Sequence, residues 1–391
     1  MSETSLFNSL LGSFSVQEFF SHYWGKDWLY LEEENRGEVP FPITINDIDA
    51  LFENTRLRYP WVKLVSKGAE LPLKEFRNEN FSPQSDFVDN EKLFAHLDKG
   101  YTIVANSADK SFAPLGAICR KLEQELLVKV WANVYISPPG SRGFGIHQDI
   151  HDVIILQLAG HKNWHVYPME AENLGPRPPG PEDTPLREFQ MKAGEVIYLP
   201  KNQPHMAFAA NTTSVHVTLG LEGLFWSDVL KQFYENGKQR NEFRQRIPSP
   251  LEGKEAFHSF QTAFKETWEG LLAENSSEKL VQDLFHNRTL QSDAYNSSRL
   301  SNWLSIDHLS ADSRLCKSSS VALEVLPGKQ FFHLKFHKKQ LRFPAFLSSL
   351  VKGLCSEEPY KLSDIKCEQT EGEKVKVAQR LLKAGLLEVL A

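Results

Sequence analysis

Apolar and polar positions change rhythm twice along the chain, from helical spacing to strand spacing and back. Residues 14 to 125 carry mixed but mostly helical spacing. Ser15 stands as an N-cap ahead of Phe19, Phe20 and Trp24, and Ile45, Ile48, Leu51 and Phe52 fall on one stripe. EKLFAHLDKGYTIVANSADK reads as a helix, a glycine stop and a short strand at Thr102 to Ala105. From 128 to 221 short β runs take over. VKVWANVYIS alternates, DVIILQLAG is apolar throughout, and NWHVYP, EVIYLP, HMAFAA and SVHVTLGLEG follow. Turn signals at Pro138-Pro139-Gly140, Ala159-Gly160-His161-Lys162 and Ala193-Gly194 separate them. Many short strands at regular spacing predict a sandwich or barrel. The proline-rich stretch from Gly175 to Pro185 predicts a surface loop between two of them.

Helical spacing returns from 224 to about 300. Phe257, Phe260, Phe264, Trp268 and Leu271 form one amphipathic stripe, and Leu280, Val281, Leu284 and Phe285 another. These stripes suit either a dimer face or an internal core. Residues 300 to 391 predict a small third domain ending in the helix VKVAQRLLKAG and the strand LLEVLA.

Composition narrows the class. A chain of 391 residues suggests two or three domains, and 41% hydrophobic with 24% charged residues fits a soluble globular protein. No apolar run of about 18 residues is present, which argues against a membrane span. The N-terminus lacks a basic, then apolar, leader pattern. Cys119, Cys316, Cys355 and Cys367 form no C-x-x-C pair, so neither a disulfide framework nor a zinc ribbon is expected, and a reducing cytoplasm is the default setting. The net charge of -6 argues against a chain-wide nucleic-acid surface. Residues 326 to 391, with 12 basic against 7 acidic residues, are locally basic by 5, as a solvated small domain or a weak surface for an acidic partner or nucleic acid.

Six of the 13 histidines fall between 147 and 216. His147 and Asp149 are two apart, so on one strand they face the same side. His205, 58 residues on, begins a strand after a proline-bearing turn, and distant strands of a barrel meet across its interior. Two imidazoles and one carboxylate on one face of a metal leave three positions open, the arrangement of non-haem Fe(II) oxygenases. His151 competes for the face of Asp149. His161 is expected in a turn, and His165 and His216 in strands as packed or surface residues. An oxygenase of this type also needs a cation for the distal carboxylate of 2-oxoglutarate. Lys162, expected in the turn AGHK, can supply it, and the amide of Asn133 can donate to the same cosubstrate if it faces inward.

NVYISPPGSRGFGIHQDIHDVIILQLAGHKNWHVYP resembles the JmjC-type 2-oxoglutarate oxygenases, in particular their ribosomal-oxygenase subgroup. The resemblance runs through Asn133-Val134-Tyr135, a Pro/Gly/Ser loop, His147 and Asp149, then Gln157, Leu158, Gly160, Lys162 and Trp164. It continues through His205, after the strand Gly194 to Pro200, and through His216-Val217-Thr218. Gly220 departs from the serine that several members carry there. The resemblance implies an α+β fold. A double-stranded β-helix of jelly-roll or cupin type, with N-terminal helical elements, would span 1–222, a helical dimerisation region 223–300, and a winged-helix-like domain 301–391. It implies an Fe(II)- and 2-oxoglutarate-dependent hydroxylase that uses O2 on an arginine or histidine side chain of a protein or peptide, with ribosomal proteins as candidate substrates. On this reading His147, Asp149 and His205 hold iron, Lys162 and Asn133 hold 2-oxoglutarate, and the protein is a homodimer of the cytoplasm, or of the nucleus in a eukaryote. The loop SPPGSRGFG is expected to touch substrate. Nucleic acid is not the expected substrate. Three other readings share the residues: a cupin metalloenzyme without 2-oxoglutarate, a non-catalytic scaffold, and a demethylase of the same iron chemistry.

Overall fold

A computed structural model of the chain describes residues 5–36, 41–54, 57–80, 84–169, 184–290, 299–318, 321, 323–336, 338–356 and 358–390. Two compact units meet at Leu224/Phe225. Eleven strands belong to the first: β1 (Leu29–Leu31), β2 (Val62–Ser66), β3 (Ala69–Glu70), β4 (Thr102–Ala105), β5 (Lys129–Ser137), β6 (Asp152–Ala159), β7 (His161–Val166), β8 (Arg187–Lys192), β9 (Val196–Leu199), β10 (His205–Ala209) and β11 (Ser214–Glu222).

The strands form two sheets, both antiparallel. The larger runs β1-β9-β6-β11-β5-β4-β2-β3 and the smaller β10-β7-β8. Strand alternation explains how they close on one another. Along β5, Val130, Ala132, Val134 and Ile136 enter the main core, where the helix Ala113–Leu126 adds Leu115, Ile118, Cys119 and Leu122. Trp131, Asn133, Tyr135 and Ser137 therefore point to the opposite face. β6 carries the unbroken apolar run Val153–Leu156 because both its faces are covered: Ile154 and Leu156 join that core, while Val153 and Ile155 join Trp164, Val166, Met191, Ile197 and Leu199 between the sheets. This second cluster seals one end of a β-roll.

The turn from β6 to β7 demands glycine. Gly160 has φ +66, and a Cβ there would lie 1.9 Å from the Thr213 carbonyl oxygen. The turn fixes the register in which Lys162 pairs with Ala209 and Met191. His161 and Lys162 accordingly lie in β7 rather than in the turn expected for them; the reversal is completed at Gly160 itself. Three short strands before β4 also went unanticipated, as did β8. The proline-rich stretch 175–185 lies almost wholly outside the described residues.

In the second unit, helices Trp226–Gly237, Lys254–Glu274 and Ser277–Leu290 share a small core of Phe233, Leu271 and Leu280. The remainder builds its own core on two three-stranded sheets and the helices Ser348–Leu354 and Glu371–Ala384. The last helix is framed by a reciprocal Thr370/Glu373 cap and by Gly385. No helix among the described residues is long and apolar enough to cross a membrane.

Candidate metal and cosubstrate site

His147, Asp149 and His205 come together at the open end of the roll, with one potential ligand atom from each lying within 4.8 Å of the others. The route differs in one respect from the expected one. His147 makes a single antiparallel bridge rather than standing in a regular strand: its N–H donates to the His205 carbonyl (3.0 Å), and the His205 N–H donates back (2.9 Å). Asp149 follows in irregular chain, its Oδ2 3.8 Å from His205 Nε2. The two rings lie 4.3 Å apart.

Backbone carbonyls set the tautomers. His147 Nδ1 faces the Gly145 carbonyl and His205 Nδ1 the Gln203 carbonyl, each at 2.9 Å. A carbonyl only accepts, so each Nδ1 carries the proton and each Nε2 keeps its lone pair. Gln203 is itself buried and donates to the Tyr167 carbonyl at 2.6 Å. Burial, reinforced by neighbouring His147, pushes the His205 imidazole down to about 4, against the pull of Asp149, and keeps it neutral. Two neutral imidazoles and a carboxylate with ring orientations fixed from behind fit a divalent first-row metal.

Deeper in, Lys162 is 6% exposed. Its ammonium donates to Ser137 Oγ (3.4 Å) and to His216 Nδ1 (3.3 Å), and no carboxylate among the described residues pairs with it. Burial pulls it down to about 7. His216 is buried as well, stacked flat on Tyr135 at 4.7 Å, and held well below the ordinary histidine range by burial and then by the Lys162 charge. It therefore accepts from the lysine. Asn133 Oδ1 takes the Ser107 N–H at 2.9 Å, and burial raises the Tyr135 hydroxyl to about 12, with the Asn133 side chain bonding to it. With its oxygen taken by Ser107, the Asn133 amide nitrogen is left to bond the Tyr135 hydroxyl. Trp164 Nε1 and Ser141 Oγ are buried without a partner among the described residues. A buried cation with no counter-ion, beside unpaired donors, is complementary to a small anion.

Of the five residues singled out from the sequence, His147, Asp149 and His205 converge, while Lys162 is buried on β7 and Asn133 stands on β5 beside Tyr135. Ser137 and His216 had not been assigned to the site. Strand alternation puts Ser137 on the face of Asn133 and Tyr135, but no sequence pattern reports its distance from Lys162. His151 stays outside the triad, edge-on to Trp131 at 4.6 Å. In the SPPGSRGFG loop, Phe144 packs 5.7 Å from the His147 ring, and Arg142 Nη1 donates to Met206 Sδ at 3.4 Å.

Residues 108–229, which contain the triad, Lys162 and Asn133, match the model of the JmjC domain. That stretch of the chain is similar to the JmjC domain. The chain is 22% identical over 247 residues to the bifunctional lysine-specific demethylase and histidyl-hydroxylase NO66 of Dictyostelium discoideum, covering 60% of this chain and 47% of the relative. It is 27% identical over 248 residues to ribosomal oxygenase 2 of Mus musculus, covering 59% and 50%. The chain thus spans about half the length of these two curated relatives. Its fold is that of the ribosomal oxygenase YcfD of Escherichia coli, solved with cobalt and 2-oxoglutarate: TM-score 0.55 at 14% identity, over 97% of this chain and 99% of that one. The cupin-like roll with mixed helices and sheets is shown by this likeness.

Proposed function

We propose that this chain is an Fe(II)- and 2-oxoglutarate-dependent oxygenase that hydroxylates an arginine or histidine side chain in a protein or peptide, with ribosomal proteins as the first candidates. One observation carries the reading: the same roll holds a converged His/Asp/His triad and a buried ammonium that has no carboxylate partner among the described residues. Its support comes from relatives whose names are oxygenase and hydroxylase. The metal with 2-oxoglutarate and O2 would supply the oxidation, one oxygen atom leaving in succinate as CO2 is lost and the other entering a C–H bond.

His147, Asp149 and His205 hold the metal, and the Gly145 and Gln203 carbonyls keep both imidazoles in the ligating tautomer. Lys162 binds the distal carboxylate of 2-oxoglutarate. His216 accepts one of its protons and Ser137 a second, which orients the ammonium. Asn133 donates its amide to the same cosubstrate. The apolar cluster behind Trp164 excludes water from that pocket. Purified protein with Fe(II) and ascorbate is expected to convert 2-oxoglutarate to succinate, and His147→Ala to abolish it; turnover surviving that substitution defeats the triad. Calorimetric binding of N-oxalylglycine separates this reading from a cupin enzyme that needs no 2-oxoglutarate. Mass spectrometry of ribosomal proteins from a deletion strain should show the loss of one oxygen atom on one side chain.

A demethylase reading is favoured by one fact, the double activity in the printed name of the NO66 relative. Release of formaldehyde from methylated-lysine peptides would support it. The domains follow the same reading: a catalytic roll at 1–222, helices at 223–300 that pair two copies, and a winged-helix-like domain at 301–391. Pairing is supported by the helix Lys254–Glu274, where Phe257, Phe264 and Trp268 are exposed and Phe264 stacks on Trp268. Light scattering of Phe264→Asp should report a monomer. Four free cysteines suit the reducing cytoplasm or nucleus.

A further inference from the structure

One pair of residues on the inner face of the large sheet has no part in holding metal or cosubstrate. Trp131 on β5 lies directly opposite Gly220 on β11. The indole occupies the space a side chain at 220 would need: a Cβ there would stand 2.4 Å from Trp131 Cε2, 2.5 Å from Cζ2 and 2.7 Å from Nε1. Gly220 does not have the left-handed backbone that calls for glycine, so the demand is purely steric. Any larger residue at 220 must push the indole aside.

The indole also reaches the metal triad's border. It meets His151 edge-on, with centroids 4.6 Å apart and planes at 64°, and His151 follows the triad carboxylate Asp149 by two residues. Trp131 is only half-buried, whereas Tyr135, two positions further along the same face, stacks on His216 beside Lys162. The inner face of β5 therefore runs from the cosubstrate pocket, through Tyr135 and Asn133, to an aromatic ring with accessible surface.

We propose that Trp131 is the specificity-determining wall of the substrate site, stacking a planar nitrogen-bearing side chain, a guanidinium or an imidazole, of a peptide held beside the triad, and that Gly220 makes room for it. The proposal rests on the oxygenase reading and adds the substrate contact to it. An indole is rigid, with two side-chain torsions, and its face attracts a cation most strongly when the cation is a flat group that can lie parallel to it. A lysine ammonium offers charge without the plane, and leucine offers neither. The pair also works as a gauge: lengthening the side chain at 220 shortens the room available to the ring.

The test uses the full chain loaded with Mn(II) and 2-oxoglutarate without oxygen, and four peptide libraries with arginine, histidine, lysine or leucine fixed at the centre. The wild type should retain the arginine or the histidine library on the order of tenfold better than the leucine library. Trp131→Ala should erase that preference, Gly220→Ser should weaken it by displacing the ring, and Trp131→Phe should restore part of it. Preference for the lysine or leucine library, no preference at all, or a preference unchanged in Trp131→Ala overturns the proposal. Binding of Mn(II) and of 2-oxoglutarate is measured in each variant alongside. If the wild type binds neither, the oxygenase reading itself has failed; if it binds both while Trp131→Ala keeps the wild-type preference, only the wall has.

Discussion

The interior of the roll has two ends made from the same strands, and they follow opposite rules. At the closed end Val153, Ile155, Trp164, Val166, Met191, Ile197 and Leu199 pack as an ordinary core. At the open end sit His205, Lys162 and His216, all under 10% exposed. β7 passes through both, presenting Lys162, Trp164 and Val166 in turn on its inner face. Alternation determines which side chains face inward, but position along β7 does not sort them: Val166 lies opposite His205 and Lys162 opposite Ala209, so what each meets is decided by the strands across the roll. The closed end lowers the free energy of the fold. The open end raises it, since a buried ammonium and two buried imidazoles lose hydration with little in return until an anion and a metal arrive.

The sharpest way to break this contrast is His205→Ala. The fold should survive, because the core of the closed end is untouched, while metal binding and 2-oxoglutarate turnover fall below detection. Equilibrium dialysis with Mn(II) and circular dichroism together check it. Metal affinity within about tenfold of the wild type would remove His205 from the site, since a lost ligand costs at least what a lost supporting contact does.

Lys162→Met should act in opposite directions on binding and on stability. The charge-assisted contact to 2-oxoglutarate is lost, for an expected weakening of about 100-fold by calorimetry. Stability should rise at neutral pH. The lysine is lowered from 10.5 to about 7 in the fold, so the cost of burying it is fully present below pH 7 and is relieved as pH climbs from 7 towards 10.5, where only the unfolded chain still holds the proton. At most this amounts to roughly 5 kcal/mol. Wild-type stability should therefore climb relative to Lys162→Met across that interval. The affinity of the wild type for 2-oxoglutarate should drop over the same range, because binding then requires proton uptake. Lys162→Arg, which keeps its charge, should show a flatter affinity profile. A wild type and Lys162→Met with parallel stability curves would mean the ammonium is better compensated than its surroundings suggest.

How much of this was legible beforehand differs between the two ends. The closed end could be read from pattern alone: Val153-Ile154-Ile155-Leu156 is an unbroken apolar run because both faces of β6 are covered there. The triad could be read because His147 and Asp149 are near neighbours and His205 opens a strand, even though the bridge at His147 is a single pair rather than a strand. Lys162 was singled out by the need for a cation opposite the distal carboxylate and given a turn, because Ala-Gly-His-Lys carries turn chemistry whose bend is spent on Gly160. β8 was missed because REFQMK is polar and mostly exposed, with no apolar alternation to betray it. β1 to β3 are two to five residues long, too short for a period to register. The roles of Ser137 and His216 depend on distances across the roll, which no spacing along the chain encodes.

Ile155→Ala probes the closed end alone. Truncating a fully buried isoleucine leaves a cavity between the sheets and should cost about 2–4 kcal/mol in denaturant unfolding. Once allowance is made for the unfolded fraction, the affinity for Mn(II) should stay near that of the wild type. A selective loss of metal binding in this variant would show that the two ends are mechanically coupled rather than merely continuous.

The smallest effect, and the finest test of the contrast, is expected from Ser137→Ala. Ser137 Oγ accepts from Thr102 Oγ1 at 3.1 Å and from the Lys162 ammonium at 3.4 Å. It is buried, so its loss leaves Thr102 and Lys162 each short of a partner without opening a cavity of consequence. A neutral hydrogen bond of this kind is worth about 1 kcal/mol, or some fivefold in an equilibrium constant. If the open end is organised around an incoming anion, that loss should appear mainly in the affinity for 2-oxoglutarate, because the ammonium loses its orientation while unfolding shifts little. If Ser137 instead serves the fold, through the Thr102 bond that ties β4 to β5, stability should fall and affinity hold. Measuring both in the one variant assigns the residue to one end of the contrast or the other.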